Sequence, residues 1–266
     1  MKALLNIENS RVEVDFSKGI DISIPLYFNG DQPNTYNVDK ATSKPYQDGT
    51  FFGDTRKGGP CNFETYRLTP HCNGTHTECI GHITKQRIPI TDCLKQEIIP
   101  SSLITIDPKN SNEKYKPDLD IDDLVITKEI LENKLKNINC NFLHALIIRT
   151  LPNNEEKKRR DYMKIKPSFF TIDAMKYIVD LGVQHLLVDT PSVDRLFDEG
   201  ILSAHNIFWE TKDKKFNIKS SKKTITEMIF VSDKIKDGKY LLNLQFAPFV
   251  ADASPSRPIL YKINEL

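Results

Sequence analysis

Three imidazoles, two thiols and one carboxylate lie within twelve residues of this chain, in the run His71-Cys72-Asn73-Gly74-Thr75-His76-Thr77-Glu78-Cys79-Ile80-Gly81-His82. As core material such a stretch would need a buried partner for every polar group, so its composition marks a site. If Thr75 to Glu78 is extended, His76 and Glu78 project to one side, where an imidazole and a carboxylate can meet one cation. Cys72 shares their parity and is the favoured third ligand. His71 has the opposite parity and reaches the same point only if the chain bulges, for which Gly74 gives the backbone freedom. His82, preceded by Gly81 in a turn, is either a further ligand or a proton carrier, because an ordinary imidazole titrates near neutral pH. A thiol pair of Cys72 and Cys79 is the competing reading. Mixed nitrogen, sulfur and oxygen donors suit zinc or another late transition metal, whereas calcium and magnesium prefer all-oxygen shells.

The rest of the chain has to position these residues. Its 266 residues are 39% hydrophobic and 27% charged, enough for a sizeable core, and one domain over 1–266 is the simplest organisation. A net charge of +1 argues against nucleic acid as a partner. No apolar run reaches membrane-spanning length, and the first residues lack a secretion signal. Five cysteines without a regular framework fit a reducing cytoplasm.

Alternation over Arg11–Phe16 and Ile20–Leu26 predicts strands, followed by a polar region at 29–60 read as a substrate loop punctuated by aromatic residues. Asn62–Leu68 is expected as a strand leading into the site, with Phe63 and Tyr66 available to cover it. Ser101–Ile106 and Ala145–Thr150 read as compact strands, the second ending at Arg149, which can bind an acidic group or simply reach solvent. Thr127 and Thr171 are placed to cap helices, the second stopped by Gly182 and followed by a strand through Val188. Asp189 and Asp194 then flank Pro191 at the strand's end, where a carboxylate can orient a site histidine or tie down a loop, and the tight geometry at Pro191 favours loop organisation. Local sequence favours His205 as a histidine packed beside Phe208 and Trp209. Glu227 is the odd charge in the apolar strand beginning at Thr224, and if buried it demands a metal or a histidine. Residues 210–223 form a charged segment.

These segments together resemble the metal-dependent cyclase family that includes bacterial kynurenine formamidases. Gly74-Thr75-His76, Glu78 and His82 match its Gly-Thr-His, acidic and final histidine positions, and Asp21-Ile22-Ser23 resembles its opening Asp-Leu-Ser. Val188-Asp189-Thr190-Pro191-Ser192-Val193-Asp194 and Ser254-Pro255-Ser256-Arg257 resemble later family segments. The resemblance implies a compact α/β cyclase-like fold with a mixed β-sheet and flanking helices, and a homodimer. It implies metal ligands at His76 and Glu78, with Cys72 at the first histidine position and His71 one residue early. His82 becomes the catalytic acid/base, and His205 and Glu227 the distal ligands. The sequence departs from the pattern at Glu78 for Asp, Cys72 for His, Ile80 for Pro, and in a longer interval between His205 and Glu227, which the resemblance makes an insertion at the charged 210–223 segment.

The function implied is metal-dependent hydrolysis of an amide, N-formylkynurenine to kynurenine and formate, with zinc foremost and manganese, cobalt or iron as alternatives. A cyclic amide or lactone substrate is the nearest alternative. A noncatalytic metal-containing binding protein is the alternative from a different class.

Overall fold

The computed structural model describes residues 1–266. An eleven-stranded mixed sheet gathers strands from both ends of the chain. In chain order its strands are β1 (Lys2–Ile7), β2 (Ser10–Asp15), β3 (Ile20–Asp21), β4 (His76–Cys79), β5 (Ile98–Ile106), β6 (Ala145–Thr150), β7 (His185–Val188), β8 (Thr224–Glu227), β9 (Gly238–Asn243), β10 (Ala253–Pro255) and β11 (Ile259–Glu265). Across the sheet they run β1-β2-β11-β9-β5-β6-β7-β8-β4-β10, with β3 beside β11. The inner strands β5 to β8 are parallel, and the remaining pairings, including β8 with β4 and β4 with β10, are antiparallel.

Both faces of the parallel centre are covered, as parallel strands require. Leu146, Ile148, Leu186 and Val188 point into a cluster with α1 (Lys128–Leu135), α2 (Ile172–Asp180) and α3 (Ser203–Phe208), while Ala145, Ile147 and Leu187 face Ile99, Leu103, Leu242 and Leu260. The expected caps form: Thr127 accepts from the Ile130 amide and Thr171 from the Ala174 amide. No helix is long and apolar enough to cross a membrane.

Several expectations are corrected. Residues 62–68 form a strand only over Glu64–Arg67, paired with Thr42–Pro45 outside the main sheet, and Phe63 and Tyr66 are exposed instead of covering the site. Phe63 packs on Tyr46 and Phe51 of the same region. Arg149 is buried and spent on structure, donating to Thr105 Oγ1, to the Ser232 and Ile235 carbonyls and to Asp237. Asp189 does organise a loop: buried Lys157 reaches it at 2.7 Å, and its carboxylate accepts from the Thr150 amide and hydroxyl. That ties the ends of β6 and β7 together just before the segment that carries Asp194.

His185, at the start of β7, is buried with Nδ1 2.8 Å from Thr224 Oγ1, and burial together with nearby His144 depresses its pKa to about 4. The unfolded chain therefore takes up a proton that the folded chain refuses. This contribution is whole above the ordinary histidine pKa and is lost as pH falls toward the folded value. In urea unfolding, the wild type is expected to lose about 2 kcal/mol more than His185→Gln between roughly pH 6.5 and pH 4.

Candidate metal centre

Strand β4 carries the centre. His76 and Glu78 share one side of it, as the period-two reading expects, while Thr77 and Cys79 take the other. Thr77 Oγ1 lies 2.8 Å from Thr226 Oγ1 across the sheet, and Cys79 packs on Ile90 and Cys93. The antiparallel register places Glu227 of β8 directly opposite His76 and Ile225 opposite Glu78. On the other side, β10 places Ala253 opposite Glu78. A tight turn at Ile80–His82 follows β4, and Gly81 is required there because a Cβ would sit 2.0 Å from the Ile88 carbonyl oxygen. The turn returns the His82 ring to the same site.

Glu78 lies at the middle of the arrangement and is almost completely buried, at 1% exposure. Its Oε1 is 2.9 Å from His205 Nε2, and its Oε2 is 3.1 Å from His71 Nδ1 and 3.7 Å from His82 Nε2. Glu227 bridges the far side, with Oε2 3.4 Å from His76 Nε2 and Oε1 3.8 Å from His205 Nε2, while Oε1 also accepts from the Val193 amide at 3.0 Å. His205 is thus both packed, its ring 5.5 Å from that of Trp209, and aimed into the site. Asp194 does the aiming: it takes His205 Nδ1 at 2.6 Å and accepts from the Ala204 and His205 amides at the start of α3. On the open side, Asp252 Oδ2 lies 2.9 Å from His71 Nε2 and 3.3 Å from His82 Nδ1, all three side chains being about a quarter exposed.

Two buried atoms at the centre, His76 Nε2 and Glu78 Oε2, make no hydrogen bond. His71 Nδ1 approaches Glu78 Oε2 closely but is poorly aligned for one. Orphaned buried donors and acceptors are costly, and a cation is the partner that would satisfy an imidazole nitrogen and a carboxylate oxygen together. The electrostatics agree. Burial resists charge on both groups, yet the neighbouring histidines hold Glu78 well below the usual carboxylate range, and Glu78 with Asp194 drives His205 well above the ordinary imidazole value. Burial likewise opposes charge on His71, but its hydrogen bond with Asp252 and the close negative charge of Glu78 raise it to about 10. The carboxylates thus impose positive charge on this site. Donor atoms of His71, His76 and Glu78, and again of Glu78, His82 and His205, all lie within 4.8 Å of one another. That nitrogen and oxygen set suits a divalent transition ion.

Of the sequence candidates, the structure brings His71, His76, Glu78, His82, His205 and Glu227 together. Cys72 is the exception, and none of the converging donor groups contains it. The parity argument fails because Pro70–Asn73 is a helical turn and the strand starts only at His76, so His71 takes the inward position. Cys72 is buried nearby, and burial with the charge of Glu227 pushes its thiol up to about 11. The competing pair of Cys72 and Cys79 does not form: Cys79 faces Cys93, and all five cysteines are free thiols. Sequence reasoning missed Asp252 as a site residue, and its preference for loop organisation at Asp194 is corrected, because Asp194 orients His205.

A buried histidine and carboxylate centre on the antiparallel edge of a mixed α/β sheet defines a candidate metal-binding protein. The family model "Putative cyclase" matches residues 14–195, and the chain belongs to that family. It is 26% identical over 253 residues to the kynurenine formamidase of Bacillus cereus, covering 93% of this chain and 99% of that one. Its fold is similar to that of a "predicted metal-dependent hydrolase" from Bacillus stearothermophilus, with a TM-score of 0.57, 18% identity and coverage of 92% and 98%. It is also similar to isatin hydrolase A from Labrenzia aggregata, with a TM-score of 0.60, 15% identity and coverage of 92% and 93%.

Glu78→Gln and His71→Ala are expected to weaken binding of zinc or manganese by about tenfold or more, with Cys72→Ser leaving it unchanged, as read by elemental analysis after equilibrium dialysis.

Proposed function

We propose that this protein is a metal-dependent amide hydrolase of the arylformamidase type, converting N-formylkynurenine to kynurenine and formate. The observation that carries the proposal is the buried His76, Glu78, His205 and Glu227 set, with its unsatisfied His76 Nε2 and Glu78 Oε2, opening outward through His71 and His82. The kynurenine formamidase relative supports the substrate, and both hydrolase-fold neighbours support the class.

In this reading His71, His76, Glu78, His205 and Glu227 would hold a divalent ion, with zinc the first choice. Such an ion, when bound, polarises a carbonyl and lowers the pKa of water. His82 has the exposure and the reach for proton transfer. Its Nε2 points into the centre and can take the proton of the attacking water. The same atom then gives that proton to the departing nitrogen, so the imidazole ends the cycle as it began it. Asp194 keeps His205 in one tautomer through Nδ1, leaving Nε2 for the centre.

The test is formate release from N-formylkynurenine by protein reconstituted separately with zinc, manganese, cobalt and iron. Turnover is expected, falling about 100-fold or more in His82→Ala with metal content unchanged. Turnover of a cyclic amide or lactone alone would change the substrate and leave the class standing. Metal retained without turnover of any of these substrates would overturn the enzyme reading in favour of a binding protein. A homodimer in a reducing cytoplasm belongs to the same proposal, and light scattering is expected to give twice the mass of one chain.

A further inference from the structure

Asp252 is the one carboxylate at the centre that holds its histidines from outside. Its backbone is fixed to the strand that carries the site: the Asp252 carbonyl accepts from the Cys79 amide at 3.0 Å, and β10, which follows directly, is in register with β4. Its position relative to Glu78 is therefore set by the sheet. A single oxygen, Oδ2, then meets two imidazole nitrogens, His71 Nε2 at 2.9 Å and His82 Nδ1 at 3.3 Å. The two rings stack over one another with centroids 4.3 Å apart and planes 29° apart.

The consequence lies in the opposite nitrogens. With Nε2 of His71 turned to Asp252, its Nδ1 faces Glu78 Oε2. With Nδ1 of His82 turned to Asp252, its Nε2 faces the same oxygen. A carboxylate only accepts, so each ring must present an N–H to Asp252. A neutral His82 is then left with its lone pair on Nε2, the atom directed at the centre. An unrestrained imidazole at a site mouth would exchange tautomers and rotate.

We propose that Asp252 is a positioning residue for the reaction, fixing the tautomer and ring plane of His82 through Nδ1 while holding His71 Nδ1 toward the metal centre. This rests on the reading of His82 as the proton carrier. Asp252 makes no proton transfer itself; it keeps its charge beside a ring that becomes cationic for part of the cycle.

Asp252→Asn preserves shape and removes the obligate acceptor. In the zinc-loaded enzyme, kcat for N-formylkynurenine is expected to fall about 100-fold with KM and zinc stoichiometry unchanged. Because Asp252 acts through His82, the double variant His82→Ala/Asp252→Asn is expected to turn over no more slowly than His82→Ala alone. A structural role would instead lower the melting temperature and add its cost in both backgrounds. Long-range proton–nitrogen spectra of labelled histidines read the same point without substrate: His82 is expected to carry its proton on Nδ1 in the wild type and to shift toward the Nε2–H form in Asp252→Asn. Loss of zinc from Asp252→Asn with the His82 tautomer unchanged would confine Asp252 to holding His71 and overturn the proposal. An unchanged His82 tautomer would overturn it too, even if N-formylkynurenine proved not to be the substrate. A wild type inactive on that substrate but showing the tautomer shift would overturn the substrate and leave the positioning role standing.

Discussion

The burial of the Glu78 carboxylate governs this structure. A charge taken almost wholly out of water is tolerated only where compensating groups surround it. Here the compensation comes from His205 on one oxygen and from His71 and His82 on the other, with Glu227 and Asp194 adding further negative charge behind them. The cluster is therefore poor in positive charge for its carboxylates. That deficit gives a cation its foothold, and the two unsatisfied atoms mark where its demand is greatest.

Holding such a cluster requires four separate pieces of chain to arrive in register. The antiparallel insertion of β4 between β8 and β10 does this, because one strand's inward side then faces Glu227 from one neighbour and Asp252 from just before the other. The parallel core supplies the rigid edge against which β8 is laid. The loop after β7 supplies Asp194 and, through the Val193 amide, a fixed contact for Glu227. His205 arrives on a helix of only six residues, whose first amides are anchored by the same Asp194 that orients the imidazole.

Much of this was legible in the sequence where the signal was local. The capped helices after Thr127 and Thr171, the buried strand at Ala145–Thr150 and the common side of His76 and Glu78 all follow from periods and caps that need no distant partner. Glu227 announced itself as a charge in an apolar strand. What failed was reasoning that carried a period across a break: Cys72 has the right parity for a strand, but Pro70 opens a helical turn and parity means nothing there. Phe63 and Tyr66 failed for a related reason: nearness in sequence suggested that their strand leads into the site, whereas it pairs with Thr42–Pro45 outside the main sheet. Asp252 was invisible because its partners His71 and His82 are 181 and 170 residues away, and an aspartate before Ala253 carries no local mark of that contact.

The departures at the site make sense as one set of changes. With Cys72 on a helical turn, its neighbour His71 faces inward, so the imidazole displaced by one position in sequence is recovered in space. An imidazole arriving from that turn approaches from the open side of the cluster, where His82 also lies and the two rings stack. Glu78, with one more methylene than aspartate, has the reach to set its carboxylate between that outer pair and the buried His205, one oxygen toward each. The longer acid and the shifted histidine are therefore geometrically compatible. Their joint cost is a partly exposed pair of imidazoles whose outward nitrogens point away from Glu78, and a carboxylate from the far end of the chain meets that need by taking both on one oxygen.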